Sequence, residues 1–221
     1  MNINPNPPVR VIIIAIGELI PLHPEYGVQD WDDAAGAIEW PRLASFLEGI
    51  KHTGILPDTY KSHDHLNENK PVPVDSDILS HWRIESEKLY GERIVWAIAD
   101  GFLMYWDERV ISNLDLRVLM RVPESVLKQR RHERHGYHTA DQSDSEGSLW
   151  RDPPNYWEQI VYPAYVRAHQ HLFEGEDVEN GKLTGKEPGL ILWEATEVDM
   201  KDIVDKTMET VLKISRQTEP N

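Results

Sequence analysis

The sequence predicts an α/β fold in which a parallel sheet is flanked by helices. Three observations carry this. Apolar runs rich in β-branched residues are continuous rather than alternating, which suits strands covered on both faces. Between them lie segments whose apolar residues recur at helical spacing. Strand and helix therefore alternate along the chain, the order of a doubly wound fold. No internal repeat interrupts that order, and at 221 residues the chain is read as one domain, 1–221, long enough to bury a good core.

The elements follow in order. Val9 to Ile16 is an unbroken apolar run and the first strand. After Trp40, Pro41 can occupy the first helical position, and Leu43, Phe46, Leu47 and Ile50 form an inward stripe. Asp77 to Tyr90 repeats the pattern with Ile78, Leu79, Trp82 and Leu89. Arg93 to Ala99 is a second strand and Leu114 to Val122 a third. Pro123 opens a helix to Arg134 with Val126 and Leu127 inward. A longer helix runs from about Tyr156 to Phe173 and should kink at Pro163. Leu190 to Trp193 is the fourth strand, and Met200 to Ser215 is a helix carrying Ile203, Val204, Met208, Val211 and Leu212. Thr53 to Asp75 and Gly136 to Pro154 are polar and read as loops or mobile inserts.

Composition narrows the function. With 38 acidic and 23 basic residues the formal charge is −15, which argues against a nucleic-acid binder, since phosphate backbones need a Lys/Arg surface. A small anionic ligand stays possible, because a few local arginines can outweigh the global field. There are no cysteines, which removes disulfides, a thiol nucleophile and cysteine-ligated metal. The apolar run Val9 to Ile16 is far short of the roughly 20 residues a membrane span needs. The preceding MNINPNPP is not a basic leader. The expectation is a cytoplasmic protein without a membrane partner; nothing sets an oligomeric state.

Three stretches could carry chemistry. In ADGFLMYWD, a strand ends in Asp100 followed by Gly101, at the carboxyl edge where open α/β sheets bind ligands. An acid there can hold Mg²⁺ or a substrate hydroxyl, or simply cap the strand. In KQRRHERHGYH, Arg130, Arg131 and Arg134 fall within about one helical turn, arranged either to clamp phosphate or to form a salt-bridged surface. In YGVQDWDDAAGAIEW, Asp30, Asp32 and Asp33 surround Trp31. N-capping accounts for one of these acids; a sugar diol bound by carboxylate with the indole packed on a ring is the other reading. The histidines, His63 with His65 and His132, His135 and His138 at three-residue intervals, match no compact zinc signature, so no metal ligands are assigned.

In combination these stretches resemble the nicotinamide riboside kinases, in the uridine-kinase-like branch of P-loop kinases. VRVIIIAIG is similar to the family's first strand, and YGVQDWDDAAGAI to its substrate segment, where an aromatic–Asp pair binds the ribose hydroxyls; Trp31 and Asp32 take that place. IVWAIADGFLMY resembles the strand ending in Glu-Gly-Phe-Leu, with Asp100 as a shorter acid in the catalytic position. VPESVLKQRRHERHGY resembles the lid helix, so that 123–154 would be lid and insert. There Arg131 is implied on the substrate side, and Arg130 and Arg134 on the nucleotide phosphates. DPPNYWEQIVYPAYVRAHQ resembles the helix after the lid, and LILWEATE the last strand and the loop bordering the adenine. The resemblance implies ATP and Mg²⁺ as cofactors, a small nucleoside as partner, and riboside phosphorylation that feeds NAD synthesis. Uridine-type nucleoside kinase and non-catalytic nucleoside-binding protein are the competing readings.

One departure stands out. Such kinases carry GxxxxGK[ST] after the first strand, its backbone N–H groups cradling phosphate, its Lys neutralising charge and its hydroxyl on Mg²⁺. Here Gly17 passes directly to Glu18 and on to the substrate segment. A loop, a helix, a strand and the turn bearing the catalytic-base Asp are missing, about 30 residues at ordinary element lengths. Family-like sequence on both sides suggests one clean excision, from a skipped exon or an error in the gene model, with splice variation or a natural pseudokinase as alternatives. The expected fold is thus a P-loop kinase type with an incomplete N-terminal βαβ unit, impaired in phosphoryl transfer.

Overall fold

A computed structural model describes residues 22–58, 60, 72–89, 94–134, 136–139 and 148–217. The expected first strand, the Gly17–Glu18 junction, and His63, His65 and His135 lie outside them.

The architecture is α/β. In chain order the elements are α1 (Trp40–Thr53), α2 (Ser76–Glu87), the short α3 (Glu108–Ile111), β1 (Arg117–Arg121), α4 (Glu124–Glu133), β2 (Tyr137–Thr139), β3 (Ser148–Trp150), α5 (Tyr162–His169), β4 (Leu190–Glu194) and α6 (Met200–Gln217). β1 and β4 pair in parallel, Arg117 opposite Leu190 through Arg121 opposite Glu194.

The main core packs helices on this sheet. α1 forms where expected: Pro41 sits in its first turn, and Leu43, Leu47 and Ile50 are buried. Its end is set by Gly54, whose φ of 74° is open to glycine at little cost, and whose N–H bonds the Ile50 carbonyl at 2.8 Å. The buried face meets Leu103, Val110, Ile111, Leu172 and Phe173, with Leu119, Leu190 and Leu192 of the sheet against them. Each fully buried Leu or Ile contributes about 1.5–3 kcal/mol. At the sheet's end Arg121, only 7% exposed, bonds the Glu194 carboxylate. It also donates to the Gly181 carbonyl at 2.7 Å and lies over the Phe173 ring.

Four expectations are revised. Residues 95–100 are in no helix or strand; Val95, Ala97 and Ala99 touch the core while Trp96 and Ile98 are 46% and 83% exposed. Among the described residues this segment is thus covered on one face, because a strand is buried on both only when layers pack on each side. α2 buries Trp82 alone and leaves Leu79 and Ile84 exposed, since it packs mainly on α6, where the Trp82 indole donates to Asp205 at 2.8 Å. The 136–154 stretch is not all loop: β2 and β3 pair antiparallel at its stem. The kinked helix begins as a π turn, Trp157–Val161, that runs into α5. Pro163 has no N–H for a bond to Gln159, and the wider turn, closed by Tyr162 N–H on the Trp157 carbonyl, accommodates the loss.

A second, smaller core of Tyr156, Trp157, Ile160 and Val161 gathers Val28, Leu127 and Trp150. It forms the floor of the site described next. Among the described residues no helix is long and apolar enough to cross a membrane.

Candidate ribose site

The three acids of the 29–37 loop divide their work. Asp30, 4% exposed, turns its Oδ1 onto the backbone N–H groups of Asp32 (3.1 Å) and Asp33 (2.9 Å). Asp33 accepts the Gly36 N–H at 3.0 Å. Both are local turn-forming bonds of the kind Asp makes readily. Asp32 is left with its carboxylate directed elsewhere, although it is just 5% exposed.

It meets Arg131. From α4 the guanidinium donates Nη1 to Asp32 Oδ1 at 3.2 Å and Nη2 to Oδ2 at 3.3 Å. Its other edge grips Asp152, Nε to Oδ2 at 2.6 Å and Nη2 to Oδ1 at 3.1 Å. The planar fork of arginine suits this double pairing in a way a lysine ammonium does not. Two carboxylates thus share the Arg131 guanidinium. Burial pushes the Asp32 carboxyl up to about 6; Arg131 opposes the rise, and the charges of Asp152 and Asp30 add to it.

Aromatic rings wall the cluster. Trp31 and Trp150 have ring centroids 5.7 Å apart, and Trp150 stands 5.7 Å from Tyr156. The Trp150 indole donates to Asp152 at 3.0 Å. Arg131 lies 5.7 Å over the Tyr156 ring. The Trp31 Nε1 is buried without a hydrogen-bond partner among the described residues.

Of the residues singled out in the sequence, the structure brings Trp31, Asp32 and Arg131 together. Asp100 is exposed, and no contact among the described residues joins it to this cluster. Arg130 is exposed on α4, and Arg134 is exposed beyond the end of that helix in extended conformation, not on one helical turn with the others. Asp152, Trp150 and Tyr156 were missed. The signal for them was the aromatic and acidic density of LWRDPPNYW, set just before the helix that carries the second core. Among the described residues no three His, Asp or Glu gather into a group that could hold a metal ion.

Comparison with known proteins gives this geometry a family. No family model and no solved structure matches the chain. It is 30% identical over 190 residues to the nicotinamide riboside kinase of Schizosaccharomyces pombe, covering 84% of this chain and 76% of that one. The chain belongs to the nicotinamide riboside kinase family. It is also 29% identical to the nicotinamide riboside kinases of Saccharomyces cerevisiae and Eremothecium gossypii, each over 161 residues. It spans just under two thirds of those two, 64% and 63% of their lengths. A nicotinamide riboside kinase of P-loop type accounts for the helix-flanked parallel sheet. It also sharpens the departure in the sequence: a chain of this family has no GxxxxGK[ST] anywhere.

Proposed function

We propose that this chain binds nicotinamide riboside at the Asp32–Arg131 cluster, and that as written it transfers phosphate poorly or not at all. The observation that carries the binding half is a carboxylate buried to 5% exposure yet held by a bidentate arginine beside an indole. A carboxylate offers about four acceptor positions, and Arg131 uses two of those on Asp32. The remainder can accept both hydroxyls of a ribose diol, while Trp31 gives the base an aromatic face. In this reading Arg131 also donates to the sugar, and Asp152 keeps its fork in plane. Residues 123–154, with α4 and its Arg131, act as a lid segment within a single domain.

The binding of ATP and Mg²⁺, which kinases use in general, is a separate matter. Phosphoryl transfer depends almost wholly on positioned donors and metal. The groups available, Asp100, Arg130 and Arg134, are exposed. With no Lys-Ser/Thr pair on a glycine-rich loop, the chain lacks the N–H cradle and lysine that position a triphosphate. Asp100 remains the candidate acid, and Arg130 and Arg134 the candidate phosphate contacts, on their family positions. That missing loop also favours a second reading, a non-catalytic riboside-binding protein. A cytosolic location is proposed with it; recovery in a membrane fraction would contradict that. A radiolabel assay with nicotinamide riboside and ATP·Mg²⁺ tests the catalytic half. Turnover at ordinary kinase rates, about 1–100 s⁻¹, would overturn it.

A further inference from the structure

We propose that Tyr156 is a positioning residue for the riboside site, clamping the 29–33 loop so that Trp31 and Asp32 are presented to Arg131. The inference rests on the riboside reading above and adds a residue to it. The Tyr156 hydroxyl donates to the Gln29 carbonyl at 2.7 Å and accepts the Trp31 N–H at 3.1 Å. These bonds bracket Asp30, whose side chain holds the amides of Asp32 and Asp33 from within the turn. The loop is therefore pinned from both sides, and the residue between the pins and the cap is Trp31.

The anchor itself is rigid. Tyr156 is 2% exposed and belongs to the second core with Trp157, Ile160 and Val161. Burial holds its hydroxyl well above the ordinary tyrosine value, so it keeps its proton and its donor role. The same ring stands 5.7 Å from the Trp150 ring and 5.7 Å from the Arg131 guanidinium carbon. One side chain thus touches the loop, the α4 arginine and the end of β3, the three parts that must stay in register for the cluster to exist.

Tyr105 supplies a matched control. It is also buried, and its hydroxyl donates to the Val118 carbonyl at 2.7 Å, but in the main core away from the cluster. A merely structural tyrosine hydroxyl should behave like Tyr105. The experiment compares Tyr156→Phe with Tyr105→Phe in the full chain; both keep the ring and its packing. Calorimetry with nicotinamide riboside gives affinity, and amide hydrogen exchange at Trp31 reports the clamp directly. Tyr156→Phe should weaken riboside affinity about tenfold, the scale of two lost hydrogen bonds, and speed Trp31 exchange by a similar factor. Tyr105→Phe should change neither by more than about twofold. Unchanged affinity in Tyr156→Phe, or equal losses in both variants, overturns the proposal. Should the unaltered chain take up no riboside, the binding reading fails, and exchange alone decides: unaltered Trp31 exchange in Tyr156→Phe overturns the clamp, and faster exchange supports it.

Discussion

Arg131 holds Asp32 through both ends of its guanidinium fork, at 3.2 and 3.3 Å, while its other edge is held by Asp152. The first consequence concerns the shape of the cation. Arg131→Lys keeps the charge but not the fork, leaving part of a buried carboxylate pair unmatched. It should cost about 1–3 kcal/mol in urea unfolding, the scale of a buried polar group left unsatisfied, and weaken riboside binding at least tenfold. Affinity equal to that of the unaltered chain would remove Arg131 from the site.

Asp32 makes stability depend on pH in a stated direction. Its folded pKa, pushed up to about 6, lies above the unfolded value of about 3.9. The folded state therefore binds the extra proton between these values. The contribution to stability is fully present below about 4 and is lost as pH rises through about 6. Asp32→Asn removes this titration. At pH 7.5 it should be more stable than the unaltered chain by roughly 1–3 kcal/mol, with the gap closing toward pH 4. Melting curves at several pH values check the sign; a gap that widens on acidification would be the wrong one.

Riboside binding should have the opposite dependence. Accepting two sugar hydroxyls needs the Asp32 carboxylate, so affinity should fall as pH drops through about 6. Calorimetry between pH 5 and 8 measures this, and a flat profile would argue that the ligand does not use Asp32.

Trp31 separates aromatic surface from hydrogen bonding. Its Nε1 is buried with no partner among the described residues, so Trp31→Phe discards no bond and keeps a ring facing Trp150. Stability should change by less than about 1 kcal/mol, and riboside affinity by a few-fold. Trp31→Ala removes the face and should lose tenfold or more. Equal affinity in both variants would mean that the ring carries no binding energy.

Gly181 tests the scaffold. A Cβ there would come within 2.4 Å of the Asp177 carbonyl oxygen and 2.7 Å of that of Glu174. Both are backbone atoms, so the turn must move, and with it the Gly181 carbonyl that receives Arg121. Gly181→Ala should lower unfolding free energy by about 1–3 kcal/mol and leave riboside affinity unchanged once folded.

How much of this was legible in the chain depends on the range of the cause. α1 could be read because Pro41, the Leu43–Leu47–Ile50 stripe and Gly54 are local instructions that agree. β1 and β4 could be read from apolar runs, though their pairing across some 70 residues could not. The stripe of α2 was overread: period places Ile78 and Leu79 on the helix face that carries Trp82, but whether anything packs on them is a tertiary fact, and Leu79 is exposed. In the site, Asp32 and Arg131 were found through the family pattern. Their mutual grip, and the parts of Asp152, Trp150 and Tyr156, arise only when the 29–33 loop closes on residues 99 to 125 positions away. Three acids within four residues looked alike in the sequence; the backbone amides that occupy Asp30 and Asp33 single out Asp32.

Asp32 with Arg131 is the proposed riboside site of this family member. Its most direct test is a calorimetric titration of nicotinamide riboside into the unaltered chain and into Asp32→Asn at pH 7.5. Saturable binding to the first and at least a tenfold loss in a folded second is the predicted result. Equal affinity in the two would contradict it.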